Sequence, residues 1–244
     1  MLKQPADGHT LLLVSNSLAL NHYLVAKLPY DAEREIAPII LVARVSNALV
    51  VHPSLPLNDL REFLAYARAH PGKLTYGSAG IGSGPHLFTL LFERIAGVQM
   101  THVPYKGTSQ AAVDLVGGQI NLLFDSLVSV IPNAAAGKVR VIGLTSNRRA
   151  AAAPQFATLD ELGLTGYNAT GWFGLATNAK VAPELVQRLN TDVADIMKQP
   201  DLIERLVRIG SDVAGGTAAE FAAFIRAERE KFGEVIRAAN IKPE

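Results

Sequence analysis

The stretch Tyr76-Gly-Ser-Ala-Gly-Ile-Gly-Ser-Gly-Pro-His86 decides how this chain is read. It holds the end of a strand, a turn with glycine at 80, 82 and 84, and then the start of a helix. Pro85 suits the first helical turn, where its missing N–H is no loss. Glycine lets backbone approach a ligand closely, and free N–H groups at a helix start favour an anion. Gly80 and Gly82 fit G-x-G, but Pro85 stands where a dinucleotide fingerprint needs its third glycine. The Lys-Ser/Thr pair of a phosphate-binding loop is absent, and the G-x-S-x-G nucleophile elbow does not fit. By elimination the anion is a carboxylate. An ordinary tight turn accounts for the same residues equally well, and the loop alone does not separate the two.

Outward from this loop, strand-like runs at 73–77, 98–103, 119–124 and 139–145 alternate with helical patterns at 85–96, 109–116 and 127–136. In the first helix Leu87, Leu90, Leu91 and Ile95 share one face. Gly97 and Gly117-Gly118 stop the first two helices. Such alternation predicts right-handed βαβ units around a parallel sheet. Ligands of open α/β sheets bind beyond the carboxyl ends of the strands, here 78–84, 104–108 and 125–126. Thr108 or Ser109 reads as the N-cap of the second helix. Tyr105 lines a pocket or covers the sheet edge, and Asp125 braces its loop or meets a ligand.

The flanks read differently. Strands are expected at 10–14 and 48–52, with an irregular or helical stretch between them. A buried strand at 171–177 precedes helices at 183–198 and 201–209. The core face of the former carries Leu185, Leu189, Val193 and Ile196. A last helix opens with the capping box Thr217-Ala-Ala-Glu220 and buries Phe221, Phe224, Ile225, Phe232 and Ile236. Trp172 and Phe173 are core residues or the wall of a pocket.

Composition narrows the function. The chain has 244 residues, 49% hydrophobic and only 18% charged, which is a folding composition. Its 23 Lys and Arg against 22 Asp and Glu lack the basic excess of a nucleic-acid binder. The absence of cysteine removes zinc-thiolate sites, iron–sulfur clusters and thiol catalysis. No stretch is apolar enough to insert in a membrane, and the first eight residues lack an apolar signal core, which taken literally means a cytoplasmic protein. His9, His22, His52, His70, His86 and His102 form no metal spacing, so neither metal nor cofactor is expected. Ser83, His86 and Asp125 can be written as a hydrolytic or transferase triad, which keeps an enzyme as the alternative.

Asp7-Gly8-His9-Thr10-Leu11-Leu12, Leu28-Pro29-Tyr30-Asp31, the 76–86 stretch, His102-Val-Pro-Tyr-Lys-Gly107, Gly117-Gly-Gln-Ile-Asn-Leu-Leu-Phe-Asp125 and Gly171-Trp-Phe-Gly-Leu175 occur in one order over almost the whole chain. That succession resembles the Bug family, the periplasmic receptors of tripartite tricarboxylate transporters. The resemblance implies a type II periplasmic-binding-protein fold: two doubly wound α/β lobes joined by crossing strands, with a small carboxylate caught in the cleft. Lobe two would be 52–145, and lobe one 1–51 with 146–244. By the same resemblance Ser78, Ala79, Gly80 and Gly82 supply backbone donors to the ligand. Tyr105, Lys106, Gly107 and Asp125 line it from the second lobe and Ser15, Asn16 and Ser17 from the first, and Ser83, His86, Trp172 and Phe173 join them as ligand-binding candidates read from the residues themselves. Expected partners are a mono-, di- or tricarboxylate or an amino acid, and the membrane permease subunits. In the family pattern an opening strand and ligand loop precede the Asp-Gly-(Tyr/His)-Thr-Leu-Leu segment, which starts here at Asp7. The expectation is an incomplete first lobe that self-associates or is poorly soluble, with carboxylate affinity weak or lost, a non-binding fragment being the further alternative, beside an ordered second lobe.

Overall fold

Asn47–Val51 is buried at all five positions. A strand with both faces buried and both edges needing partners must lie inside a sheet that is covered above and below. The computed structural model, which describes residues 1–243, shows how the chain supplies that cover. Its described residues form two compact units: 1–44, 171–207 and 211–243, and 45–170 with 208–210.

Before residue 52 lie β1 (Leu12–Ser15), α1 (Asn16–Leu24), the short α2 (Ala32–Glu35), β2 (Ile36–Val45) and β3 (Asn47–Val51). The middle of the chain runs α3 (Leu60–Ala69), β4 (Thr75–Ser78), α4 (Gly84–Ala96), β5 (Thr101–Pro104), α5 (Thr108–Val116), β6 (Leu122–Ser126), α6 (Leu127–Ala135) and β7 (Arg140–Leu144). It ends in β8 (Gly171–Asn178), α7 (Pro183–Ile196), α8 (Pro200–Arg208), β9 (Ser211–Gly215) and α9 (Ala218–Ala238).

In the second unit the strand order is β5-β4-β6-β3-β7. The ladders of β4 with β5 and with β6 are parallel, as the βαβ rhythm predicts. Those of β3 with β6 and with β7 are antiparallel, so the sheet expected to be parallel is mixed. The reason is connectivity: β3 enters from the first unit and is not the product of a local crossover. Its pairing also carries 45–51 into the second unit, where lobe one had been expected. Residues 146–170 follow, because Leu144 bridges Thr158 and the buried Tyr167 hydroxyl donates to the Phe88 carbonyl at 3.0 Å.

In the first unit the strand order is β1-β8-β2-β9. The ten-residue β2 occupies much of the stretch expected to be irregular or helical. Pro38 and the run Ile39-Ile40-Leu41 hide its period, because a strand buried on both faces does not alternate. Ile39 and Ile40 pack with Met197 against Leu175, Val186, Leu189 and Val193. Met197, not the half-exposed Ile196, closes the buried face of α7. α9 opens with the expected capping box, with the Thr217 hydroxyl accepting from Glu220 N and the Glu220 carboxylate from Thr217 N. On β8, Gly174 lets the Phe221 ring of α9 approach the strand closely. A Cβ there would sit 2.2 Å from the Phe221 ring and 2.9 Å from the Ile40 carbonyl. Gly174→Ala is therefore expected to lower stability by about 1–3 kcal/mol, because the backbone side of the clash cannot yield. Urea unfolding followed by circular dichroism measures it.

Candidate functional site

Because β5, β4 and β6 are adjacent and parallel, the segments that follow them meet at one sheet edge. Tyr105 N donates to the Ser78 carbonyl at 3.0 Å, and the Tyr105 carbonyl lies 3.6 Å from where a Cβ on Gly80 would stand. The convergence expected for 78–84 and 104–108 is present, and Asp125 is the last residue but one of the neighbouring β6.

The loop between β4 and α4 is held almost wholly by its own polar groups. Gly80 N donates to Ser78 Oγ at 3.0 Å, and Gly82 N to His86 Nδ1 at 3.0 Å. The Gly80 carbonyl accepts from Ser83 N at 3.2 Å and from Ser83 Oγ at 2.7 Å. Gly80 and Gly82 take φ of +108° and +75°, a region where a side chain is strained. Two donors expected to face a ligand, the N–H groups of Gly80 and Gly82, are thus spent inside the turn. Among the described residues the N–H groups of Ala79, Ile81 and Gly84 have no protein acceptor. The loop is a tight turn and a set of free donors at once.

Beneath it lies an aromatic stack that sequence reasoning did not assemble. The His102 ring on β5 is stacked 4.1 Å from that of His86 and 4.8 Å from that of Tyr76, nearly parallel to both. His102 Nε2 lies 2.6 Å from Ser78 Oγ. His102 was legible only as part of a motif, since nothing in a lone strand histidine says that it meets a serine 24 positions earlier. Burial lowers the His86 pKa from 6.5 to about 4, aided by His102. Burial also lowers that of His102. Glu93 on α4 accepts from Met100 N. Burial lifts its carboxyl from 4.5 to about 7 against that hydrogen bond.

The remaining expected residues have structural duties. The Tyr105 hydroxyl donates to Asp114 at 2.8 Å, and burial with that partner raises its pKa to about 12. Lys106 is exposed, with its N–H on Gln110 Oε1. Gly107, not Thr108 or Ser109, is the N-cap of α5. The extended backbone at 107 places the helix start one residue earlier. Asp125 is buried and accepts from Ser126 N at 2.8 Å, with its pKa raised by burial. In the first unit Asn16 Oδ1 accepts from Trp172 N at 3.0 Å. Ser15 and Ser17 share a hydroxyl contact of 3.1 Å. The Trp172 ring is core, packed edge-on to Phe221 and Phe224. Phe173 beside it is 42% exposed.

Ser83, His86 and Asp125 make no hydrogen bond with one another; each is committed to a backbone group named above. The Ser–His contact beneath this loop, Ser78 with His102, is closed to a substrate because Ser78 is 0% exposed, and the exposed His52–Ser54 contact joins residues two apart outside the loop. Nucleophilic catalysis needs an accessible nucleophile on its base, and this loop offers backbone donors instead.

The free N–H groups of this glycine turn thus lie at the edge of an α/β sheet, beside the converging loops. The sequence profile of the tripartite tricarboxylate transporter family receptors matches residues 1–241, and the chain belongs to that family. A protein from the tcbD–tcbE intergenic region of Pseudomonas sp. (strain P51) is 34% identical over 96% of this chain and 70% of its own length. BugT of Bordetella pertussis is 29% identical over 98% of this chain and 74% of its own. Among solved structures, R. palustris Rpa4515 with adipate has a TM-score of 0.83 at 32% identity, covering 100% of this chain and 82% of that one. MatC of Rhodopseudomonas palustris with bound malate has a TM-score of 0.75 at 28% identity, covering 96% and 81%. The expected two-lobe α/β receptor class is confirmed by this match.

The titrations beneath the loop carry opposite signs. His86 is favoured neutral in the fold, so its contribution is complete above pH 6.5 and is lost as pH falls toward 4. The full loss is up to about 3 kcal/mol. Glu93 is favoured protonated, so its contribution is complete below pH 4.5 and is lost as pH rises toward 7. Urea unfolding across this range should show His86→Asn flattening the acid side and Glu93→Gln the neutral side.

Proposed function

We propose that this chain is a periplasmic solute receptor that delivers a small carboxylate to the permease subunits of a tripartite tricarboxylate-type transporter. The observation that carries the reading is the glycine-rich turn. Its own side chains occupy the Gly80 and Gly82 N–H groups, so those of Ala79 and Ile81 stay free for a carboxylate without rearrangement. Preorganised donors avoid the ordering cost that a flexible loop incurs on binding. The adipate and malate of the related structures support a dicarboxylate in particular. Backbone donors recognise the carboxylate group and leave the rest of the ligand to other contacts, so the turn alone selects the class and not the acid. A receptor returns its ligand unchanged, and no residue here is assigned a chemical step.

The test is thermal unfolding with adipate and malate against the matched diamides. At 100 times the dissociation constant a ligand adds about 2.7 kcal/mol, a rise of roughly 5–10 °C for a chain of this size. Equal stabilisation by the amides would overturn the carboxylate assignment. Gly80→Val should abolish the shift while the second unit stays folded, because a β-branched residue is strained at positive φ.

Self-association belongs to the same reading. β1 is an edge strand of its sheet, and Leu13 on it and Phe173 on β8 are 63% and 42% exposed. An uncovered apolar edge recruits another chain. Light scattering should show a dimer or larger species that Leu13→Lys returns to monomer.

A further inference from the structure

Two N–H groups of the turn are held by imidazoles, one directly and one through a serine. Gly82 N donates to His86 Nδ1 at 3.0 Å. Gly80 N donates to Ser78 Oγ at 3.0 Å, and Ser78 Oγ lies 2.6 Å from His102 Nε2. The two rings are stacked 4.1 Å apart. We propose that His86 and His102 are a positioning pair for the ligand loop: as neutral imidazoles they draw the Gly80 and Gly82 N–H groups inward and leave those of Ala79 and Ile81 for the ligand. This rests on the receptor reading above and extends it to residues that need not touch the ligand.

Proton counting makes the neutral state necessary for His86 and sets the direction of the Ser78 hydroxyl for His102. His86 Nδ1 accepts from Gly82, so its proton must be on Nε2; a second proton on Nδ1 would set a donor against a donor. A serine hydroxyl has one proton. With His102 neutral and its proton on Nδ1, Ser78 donates to Nε2 and accepts from Gly80 N. With His102 charged, Ser78 must accept there and turn its proton to the Gly80 carbonyl, 3.1 Å away. That carbonyl already accepts twice from Ser83. Charging His86 breaks the Gly82 bond, and charging His102 moves the Ser78 proton to the Gly80 carbonyl, so both changes are felt in the same turn.

The titratable groups around the pair offer no compensating charge. Tyr76 of β4 stacks on His102 and is kept neutral by burial. Glu93, two turns beyond His86 on α4, is the nearby carboxyl. Its own burial keeps it largely protonated in the acid range where the imidazoles would charge.

The test combines nuclear magnetic resonance of the glycine amides with calorimetric titration of adipate at pH 7.5, where the probe is fully ionised. In the ligand-free parent the Gly82 amide signal should move as pH falls toward 4 and His86 charges, and the Gly80 signal as His102 charges below its ordinary range. His102→Phe keeps a stacked ring without the hydrogen bond, and Ser78→Ala keeps the ring and removes its partner. Each should remove the movement of Gly80 and weaken adipate about tenfold, the worth of one lost hydrogen bond. His102→Gln, which restores a polar partner, should recover part of the affinity. His86→Asn should remove the movement of Gly82. Should His102→Phe not fold, Ser78→Ala carries the same test. Unchanged Gly80 signals and adipate affinity in these variants would overturn the positioning pair. So would a loss in His102→Phe that Ser78→Ala does not share, since it would belong to the stack alone. A parent that binds neither adipate nor malate would overturn the carboxylate reading, while the amide titration still decides the pair.

Discussion

The Ser78 hydroxyl, fully buried at the end of β4, lies against three groups: the Gly80 N–H, the Gly80 carbonyl and the His102 ring. A buried hydroxyl left unpaired costs about 1–3 kcal/mol, so this junction is a constraint on everything around it. It fixes the first residue of the turn, and the turn fixes the start of α4. The register of β5 against β4 is tied to it as well, since Ser78 pairs with Pro104 and Tyr76 with His102. The donors left over at the sheet edge are defined by what this junction and His86 consume.

Holding an anion with peptide N–H groups suits a protein that must also let go. A lysine in the same place is a full charge on a flexible stem, strongly hydrated and costly to dry. Backbone dipoles locked in a turn have already met their ordering cost during folding and need no reorganisation. Lys106 conforms to this division: it is exposed, and only its backbone N–H is engaged, on Gln110. The near-neutral balance of the chain agrees with a site that relies on local geometry rather than on a broad field.

Much of this was legible before any coordinates. The βαβ rhythm of the middle segment, the Thr217–Glu220 capping box and the glycine turn before a Pro-started helix are local patterns, and local patterns survive in a linear sequence. β2 was not legible, because a strand buried on both faces loses its alternation and Pro38 breaks its outline. The antiparallel pairing of β3 was not legible either, since strand direction depends on where the chain arrives from. Gly107 displaced the hydroxyl residues as N-cap of α5 because the backbone geometry of the preceding strand sets the helix start.

The sequence by itself determined that a glycine-rich turn and a helix start would follow β4, and that neighbouring loops would share its sheet edge. Sequence-local chemistry sufficed, because each feature spans a few residues whose conformational limits are intrinsic. Only the tertiary structure decided which N–H groups of the turn remain free. That choice depends on His102, which lies 24 residues from Ser78 and reaches it through the parallel pairing of β4 and β5. It also depends on the dry surroundings that keep both imidazoles neutral. Hydrogen-bond partners and burial are properties of the packed chain, and no spacing of residue types encodes them.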